Sequence, residues 1–194
     1  MNTVKVISGI YKGKRIPFKN SAFDNADITS QKVKEALFSM IEPIIKDSSF
    51  LDLFAASGQI GFEALSRGSS FVAFNDFDKK RFDFIKNYID SVVLKKDSFV
   101  IVNFHFERAL RWFANKDYKF DIIFVDPPYT KNKHNEFYAE LLNFISSLNL
   151  LNDDGIIVVQ HDFDNNLDEK ISNLVQTKRK NYGRTSLTFY ICNK

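Results

Sequence analysis

LDLFAASGQIGFEAL, residues 51–65, joins an apolar run that ends in a carboxylate, Asp52, to a turn of small residues and then to the start of a helix. A short apolar run reads as a buried strand, and Gly58 and Gly61 suit the tight strand-to-helix turn of a parallel sheet. Working outward, FLDLF (50–54) begins a series continued by FVAF (71–74), FVIV (99–102), DIIFV (121–125) and GIIVV (155–159). Apolar residues at helical spacing fill the intervals at about 59–67, 79–94, 105–115 and 135–148, and again at 165–174. A helix over 31–46, with Thr29 or Ser30 as its N-cap, precedes the series. Strand and helix alternating at this rhythm predict an α/β fold, a mainly parallel sheet with helices on both faces. LVQTKRK (174–180) and SLTFYIC (186–192) flank NYGRT with no helix between them, so the chain is expected to close with a hairpin that adds an antiparallel strand.

Composition bounds what such a fold can be doing. The 194 residues suffice for one ordinary domain, and 44% hydrophobic with 26% charged residues is a globular balance. No apolar run approaches the roughly 20 residues of a membrane helix, and MNTVKVISGI lacks the apolar core of a signal peptide, so a cytoplasmic location is expected. Cys192 is the single cysteine, which excludes an internal disulfide. His105, His134 and His161 are scattered, and no metal site is expected. A net charge of +3 is too mild to announce a nucleic-acid partner, but its distribution says more. Lys5, Lys12, Lys14, Arg15 and Lys19 fall within the first 20 residues with no acid, and VKVISGIYKGKRIPF (4–18) reads as strand, turn and strand around Gly9 and Gly13. Such a hairpin could neutralise phosphates, with Tyr11 as a stacking ring; a solvated basic surface is the plainer alternative. Glu63 and Arg67, spaced i,i+4, read as a helix-surface pair without chemistry.

Ala55, Ala56, Ser57 and Gly58 let backbone approach a ligand closely, at the sheet edge where doubly wound folds bind theirs. The second strand ends at Asp76, 24 residues after Asp52, near the roughly 20-residue spacing at which an acid meets ribose hydroxyls. Asp76 could instead cap the following helix, although Asp78 is better placed to do so. The full G-x-G-x-x-G fingerprint and the Lys-Ser/Thr of a phosphate loop are both missing. A ligand with ribose and no phosphate fits better, which points to S-adenosylmethionine with Asp52 near its amino-acid end.

The sharpest signal is Asp126-Pro127-Pro128-Tyr129 at the end of FDIIFV, on the same predicted edge. An exocyclic amine on a base is a poor nucleophile because its lone pair is delocalised into the ring. Asp126 and the Pro127 carbonyl can accept hydrogen bonds from the NH2 group and localise that lone pair, while the two prolines hold the carbonyl rigid. Tyr129 offers a face for an unstacked base, a contact worth about 1–3 kcal/mol. A stiff strand terminator followed by a surface aromatic is the structural alternative.

With these residues in view, the sequence resembles the bacterial small-subunit ribosomal RNA guanine-N2 methyltransferases of the RsmD type. VISGIYKGKRI, VKEALFSMI, LDLFAASGQIGFEALSRG, FDIIFVDPPY and YGRTSLTFY carry the resemblance, which spans nearly the whole chain. It implies a Rossmann-like class I methyltransferase sheet of seven strands, preceded by an N-terminal β-hairpin. It also implies S-adenosylmethionine as donor and 16S ribosomal RNA as partner, within an assembling 30S subunit, for a monomeric enzyme. In these terms residues 1–28 form a basic hairpin and loop, with Lys5, Tyr11, Lys12, Lys14 and Arg15 on RNA, and residues 29–194 the methyltransferase domain. Asp52, Phe54, Ala55, Ser57, Gly58, Gly61, Asp76, Phe77, His105, Phe106 and Asp126 would surround the donor, and Asp126 to Tyr129 would act on the base. The chain departs from the family pattern at three places. Asp27-Ile28-Thr29 stands for Arg-Pro-Thr, Ala56 stands for the first glycine of Ala-Gly-Ser-Gly, and His105 stands where an Asp or Asn often meets the adenine amine. The Ala56 change is modest only if φ there is negative. DNA adenine-N6 transfer, transfer to a protein or free-base amine, and a non-catalytic RNA-binding module remain as alternatives; no insertion is large enough for a DNA target-recognition domain.

Overall fold

The structure is a computed structural model and describes residues 4–19, 29–92, 96–128 and 135–193. In chain order the elements are β1 (Val4–Lys5), β2 (Arg15–Ile16), α1 (Gln31–Ile45), β3 (Ser49–Asp52), α2 (Gln59–Ser66) and β4 (Phe71–Asn75). There follow α3 (Lys79–Val92), β5 (Phe99–Val102), α4 (Phe106–Asn115), β6 (Phe120–Val125), α5 (Asn135–Ser147), β7 (Leu151–Asp162), β8 (Lys170–Ile171), β9 (Leu174–Tyr182) and β10 (Thr185–Cys192). The main sheet runs β5-β4-β3-β6-β7-β10-β9-β8, and β1 and β2 form a separate antiparallel ribbon. The five strands from β5 to β7 are parallel, whereas β10, β9 and β8 are antiparallel.

Alternation along the central strands divides the core in two, because neighbouring side chains of a strand face opposite sides. Phe50, Phe74, Ile122 and Phe124 face α1, α2 and α3 together with Val4, Ile16 and Phe18 of the ribbon. Leu51, Ala73, Ile123 and Val125 face α4 and α5. The chain leaves β3 toward β4 on one side and returns through β6 on the other. This order reversal opens a crevice beyond the strand ends, where open α/β sheets bind ligands. No helix among the described residues is long and apolar enough to cross a membrane.

The expected helix over 165–174 is absent. Leu167, Ile171 and Leu174 have helical spacing and are buried as a helix would bury them. The backbone instead turns at Ser172, whose φ is 54°, and Ile171 pairs with Leu174 across that turn. A tight turn thus delivers the same three side chains to the core and adds β8, so among the described residues the sheet has eight strands rather than seven.

Candidate functional site

The crevice at the order reversal is lined by Thr29, Asp52, Phe54, Ala55, Ala56, Ser57, Gln59, Ile60, Phe124 and Asp126. Five of the residues expected around a donor and an amine, Asp52, Phe54, Ala55, Ser57 and Asp126, therefore meet there. Asp52 ends β3 and is 1% exposed, with Oδ2 accepting the Gly61 N–H at 3.0 Å. Burial pushes its carboxyl up to about 7; the Gly61 bond opposes the rise and the Asp76 carboxylate adds to it. Gly61 has no alternative, since a Cβ there would lie 2.2 Å from the Phe74 ring. Gly58 opens α2 with φ 73°, a left-handed conformation that costs glycine nothing.

Asp76 is buried beyond β4, its Oδ2 accepting Ala56 N–H at 2.8 Å and its Oδ1 accepting Asp78 N–H at 2.9 Å. Burial raises its pKa against these two bonds. The helix-capping alternative falls to Asp78, whose Oδ1 accepts Arg81 N–H at 2.9 Å. Beyond Asp76 stands a wall of rings: Phe77, 59% exposed, lies 6.4 Å from His105, which lies 4.8 Å from Phe106, itself 5.9 Å from Phe54. His105 opens α4 and its Nδ1 pairs with the Glu107 carboxylate. Asn103 ties this wall to Asp76 by donating to the Asp76 and Phe77 carbonyls at 2.7 and 2.9 Å.

Ala56 has φ 48°, so the family's glycine is replaced at a position that is left-handed after all. The alanine costs about 1–2 kcal/mol there, offset in part by the stiffer unfolded chain, about 0.4–1 kcal/mol. Ala56→Gly is therefore expected to raise stability in chemical denaturation by about 0.5–1 kcal/mol. A loss instead would make the Ala56 methyl a packing atom of the crevice.

Asp126 follows β6 in the crevice; Pro127 is buried and Pro128 exposed. Thr29 Oγ1 donates to the Asp126 Oδ2 at 3.2 Å and Gln160 Nε2 donates to it at 2.8 Å. Ser30, not Thr29, caps α1, and Gln59 Nε2 fixes the Thr29 carbonyl at 3.0 Å. Tyr129, Asp27 and Ile28 lie outside the described residues.

Lys5, Lys12, Lys14 and Arg15 are all exposed on the ribbon, with Tyr11 half-buried beside them. The ribbon is not a loose appendage. Glu63, fully buried, accepts Ile7 N–H at 2.7 Å, Ser8 N–H at 3.0 Å and Arg67 Nε–H at 2.8 Å. The expected surface pair of Glu63 and Arg67 forms, but as a buried anchor: α2 is covered on that face by the ribbon, which brings its own N–H donors. Lys34, also buried, donates to the Lys5 carbonyl at 2.7 Å and stands 3.8 Å from Glu63. Ser66 completes the dock by receiving Tyr11 N–H on Oγ at 2.9 Å and Ile10 N–H on its carbonyl at 2.8 Å. Gly9 presses so closely that a Cβ would meet the Ser66 carbonyl oxygen at 1.7 Å.

The family model described as Conserved hypothetical protein 95 matches residues 4–191, ribbon and closing hairpin included. The chain belongs to that family. YlbH of Bacillus subtilis is 38% identical over 187 residues, 96% of this chain and 98% of YlbH. Ribosomal RNA small subunit methyltransferase D of Haemophilus influenzae is 30% identical over 187 residues, 96% of this chain and 93% of that protein. Among solved structures, yhhF of Escherichia coli superposes with a TM-score of 0.80 at 25% identity, over 100% of this chain and 99% of that one. SMU.776, solved in complex with SAH, shares the fold alone, with a TM-score of 0.59 at 14% identity over 93% of this chain and 52% of that one. The RsmD-type resemblance carried by the motifs agrees with these family relatives.

Sequence reading missed Thr29 as a partner of Asp126, and it missed Gln59, Asn103, Gln160, Lys34 and the depth of Glu63. A signal existed for two of them. Thr29 completes the segment aligned with Arg-Pro-Thr, and Glu63 begins EALSRG, a segment quoted for the resemblance yet left without a role.

Proposed function

We propose that the chain transfers a methyl group from S-adenosylmethionine to the exocyclic N2 of a guanine in small-subunit (16S) ribosomal RNA. One juxtaposition carries this assignment: Asp126-Pro127 leaves β6 into the crevice that the glycine turn enters from β3, so donor and amine acceptor share one space. The ribosomal RNA small subunit methyltransferase D relative supports the substrate class. The methyltransferase sheet order and the SAH-bound neighbour support the donor.

The residues fit that donor. Asp76 keeps acceptor capacity for ribose hydroxyls beyond its two backbone bonds. Ser57 Oγ, buried at the crevice, has no hydrogen-bond partner among the described residues, and Phe77, His105 and Phe106 offer ring faces to an adenine. When bound, S-adenosylmethionine supplies a sulfonium methyl, an electrophile in need of an aligned nucleophile. Asp126 and the Pro127 carbonyl accept from the two amine hydrogens, which aligns the nitrogen lone pair, and Asp126 receives the proton that the nitrogen sheds. Tyr129 stacks on the base. Residues 1–28 serve RNA capture through Lys5, Tyr11, Lys12, Lys14 and Arg15, and residues 29–194 serve transfer, in a monomer acting on an assembling 30S subunit.

Labelled methyl transfer to unmodified 30S subunits, naked 16S rRNA and duplex DNA, with identification of the product nucleoside, tests this. N2-methylguanosine from a ribosomal substrate is expected; methylated adenine from DNA, or donor binding with no transfer, would overturn it.

Donor affinity should also depend on pH. With Asp52 near 7, its anion, which attracts the cationic donor, grows as pH rises. Calorimetric affinity for S-adenosylmethionine is expected to strengthen roughly tenfold from pH 5.5 to 7.5, and Asp52→Asn should flatten the profile. The unliganded fold has the opposite slope: a raised carboxyl pKa means that stability from this group is full below about 4 and is lost as pH rises through 7. A pH-independent affinity in the wild type would remove Asp52 from the donor site.

A further inference from the structure

Gln160 stands in β7 beside the start of the Asp126-Pro127-Pro128 turn. β6 and β7 are in register at Val125 and Val159, and the residues that follow these two in the chain are Asp126 and Gln160. The Gln160 side chain is 4% exposed, and its Nε2 donates to Asp126 Oδ2 at 2.8 Å. A carboxylate only accepts, so this contact fixes which end of the amide faces Asp126 and leaves Oε1 as the acceptor end. Oε1 is buried and has no hydrogen-bond partner among the described residues. A planar amide holds its nitrogen and oxygen about 2.3 Å apart, which places Oε1 within about 5 Å of Asp126 Oδ2. Buried carbonyls are seldom left unpaired, and the exceptions call for a functional account.

Asp126 lines the crevice, and Oε1, buried beside it, is a second acceptor next to the carboxylate. Among bases with an exocyclic amine, guanine alone sets a ring N–H beside it, N1–H next to the N2 amine. Adenine and cytosine set a ring lone pair there. Two acceptors complement guanine's pair of donors and oppose the other two edges. We propose that Gln160 determines base specificity: its Nε2 positions the Asp126 carboxylate against the amine, and its Oε1 accepts the N1–H of guanine. The inference rests on the assignment of Asp126 to the amine made above, and it adds which base the site admits and why.

The test replaces the target guanosine, once mapped with the wild type, by 2,6-diaminopurine in the ribosomal RNA. This base keeps the 2-amino group and carries a lone pair where guanine has N1–H. Wild-type kcat/KM is expected to fall about 10- to 100-fold on diaminopurine. Gln160→Leu is expected to be slower on guanosine yet to treat both bases alike within about twofold. Gln160→Glu keeps an acceptor for N1–H but sets a second carboxyl against Asp126, and the proton the pair shares weakens the acceptor for the amine, so it should retain the discrimination at a reduced kcat. Donor affinity and unfolding midpoints check that both variants fold; should Gln160→Leu not fold, the wild type and Gln160→Glu carry the comparison. Equal use of both bases by the wild type, or discrimination surviving in a folded Gln160→Leu, overturns the inference. Transfer to no ribosomal RNA at all overturns the proposed function instead, so the two failures are distinguishable.

Discussion

Asp126→Ala is expected to lower kcat about 100- to 1,000-fold, about 3–4 kcal/mol of transition-state stabilisation, while donor affinity stays within about threefold of wild type. The split follows from geometry. The two residues assigned to the cationic and ribose parts of the donor are Asp52, bonded to Gly61, and Asp76, bonded to Ala56 and Asp78, and none of these contacts runs through Asp126. Asp126 is instead held by Thr29 and Gln160, side chains that among the described residues make no hydrogen bond to the glycine turn, so its loss should leave that turn in place. Alanine does strand these two donors, and each stranded buried donor costs about 1–3 kcal/mol of stability. Asp126→Asn is the companion variant: it keeps the shape and one acceptor oxygen but offers no carboxylate to take the amine's proton. It should show most of the kcat loss with less destabilisation. Single-turnover transfer to the ribosomal substrate and calorimetric titration with donor separate the two quantities. Parallel losses of donor affinity and turnover would move Asp126 out of the acceptor site.

What was legible in the sequence were features set by local chemistry. The central strands and the helices between them follow from apolar periodicity, and the crevice follows from glycine and proline at strand ends, so Asp52, Ser57, Asp76 and Asp126 reach their expected edge. What was not legible were meetings across long separations. Thr29 reaches Asp126 over 97 positions and Gln160 over 34; neither residue type announces a partner, because each is as ordinary on a surface as in a site. The misread segment at 165–174 failed for a different reason, since three apolar residues at helical spacing do not distinguish a helix from a turn folded onto its own strand. The N-terminal cluster is not the chain's single basic stretch. From Lys170 onward the chain has Lys178, Arg179, Lys180, Arg184 and Lys194 and no acid, a second basic end concealed by the acids of residues 153–169.

Glu63→Ala is expected to cost about 3–5 kcal/mol, the effect of removing one partner from a buried charged cluster. Glu63 has no solvent exposure, and four groups depend on it: the Ile7 and Ser8 N–H groups, the Arg67 guanidinium and the Lys34 ammonium. Burial alone already lowers the Lys34 pKa, with Glu63 the main opposing influence, so alanine leaves a buried cation without its counter-charge. Against a typical total of about 5–15 kcal/mol, the loss should be plain in a denaturant or thermal midpoint. It should also be local at first. The ribbon's β1 and β2 are two residues each, too short to stand alone, and their docking runs through Glu63, Ser66, Lys34 and a few apolar side chains. Under conditions where the variant remains folded, hydrogen exchange at Ile7 and Ser8 should therefore accelerate ahead of β3 and β6. Affinity for ribosomal RNA should fall and lose part of its salt dependence, while donor affinity holds, because the basic side chains of the ribbon are no longer presented on a fixed surface. Glu63→Gln, which retains one acceptor oxygen without the charge, should lie between. A Glu63→Ala protein as stable as wild type, with unchanged exchange at Ile7 and Ser8, would mean that the Ser66 and Lys34 bonds and the apolar packing of Val4, Ile16 and Phe18 hold the ribbon without Glu63.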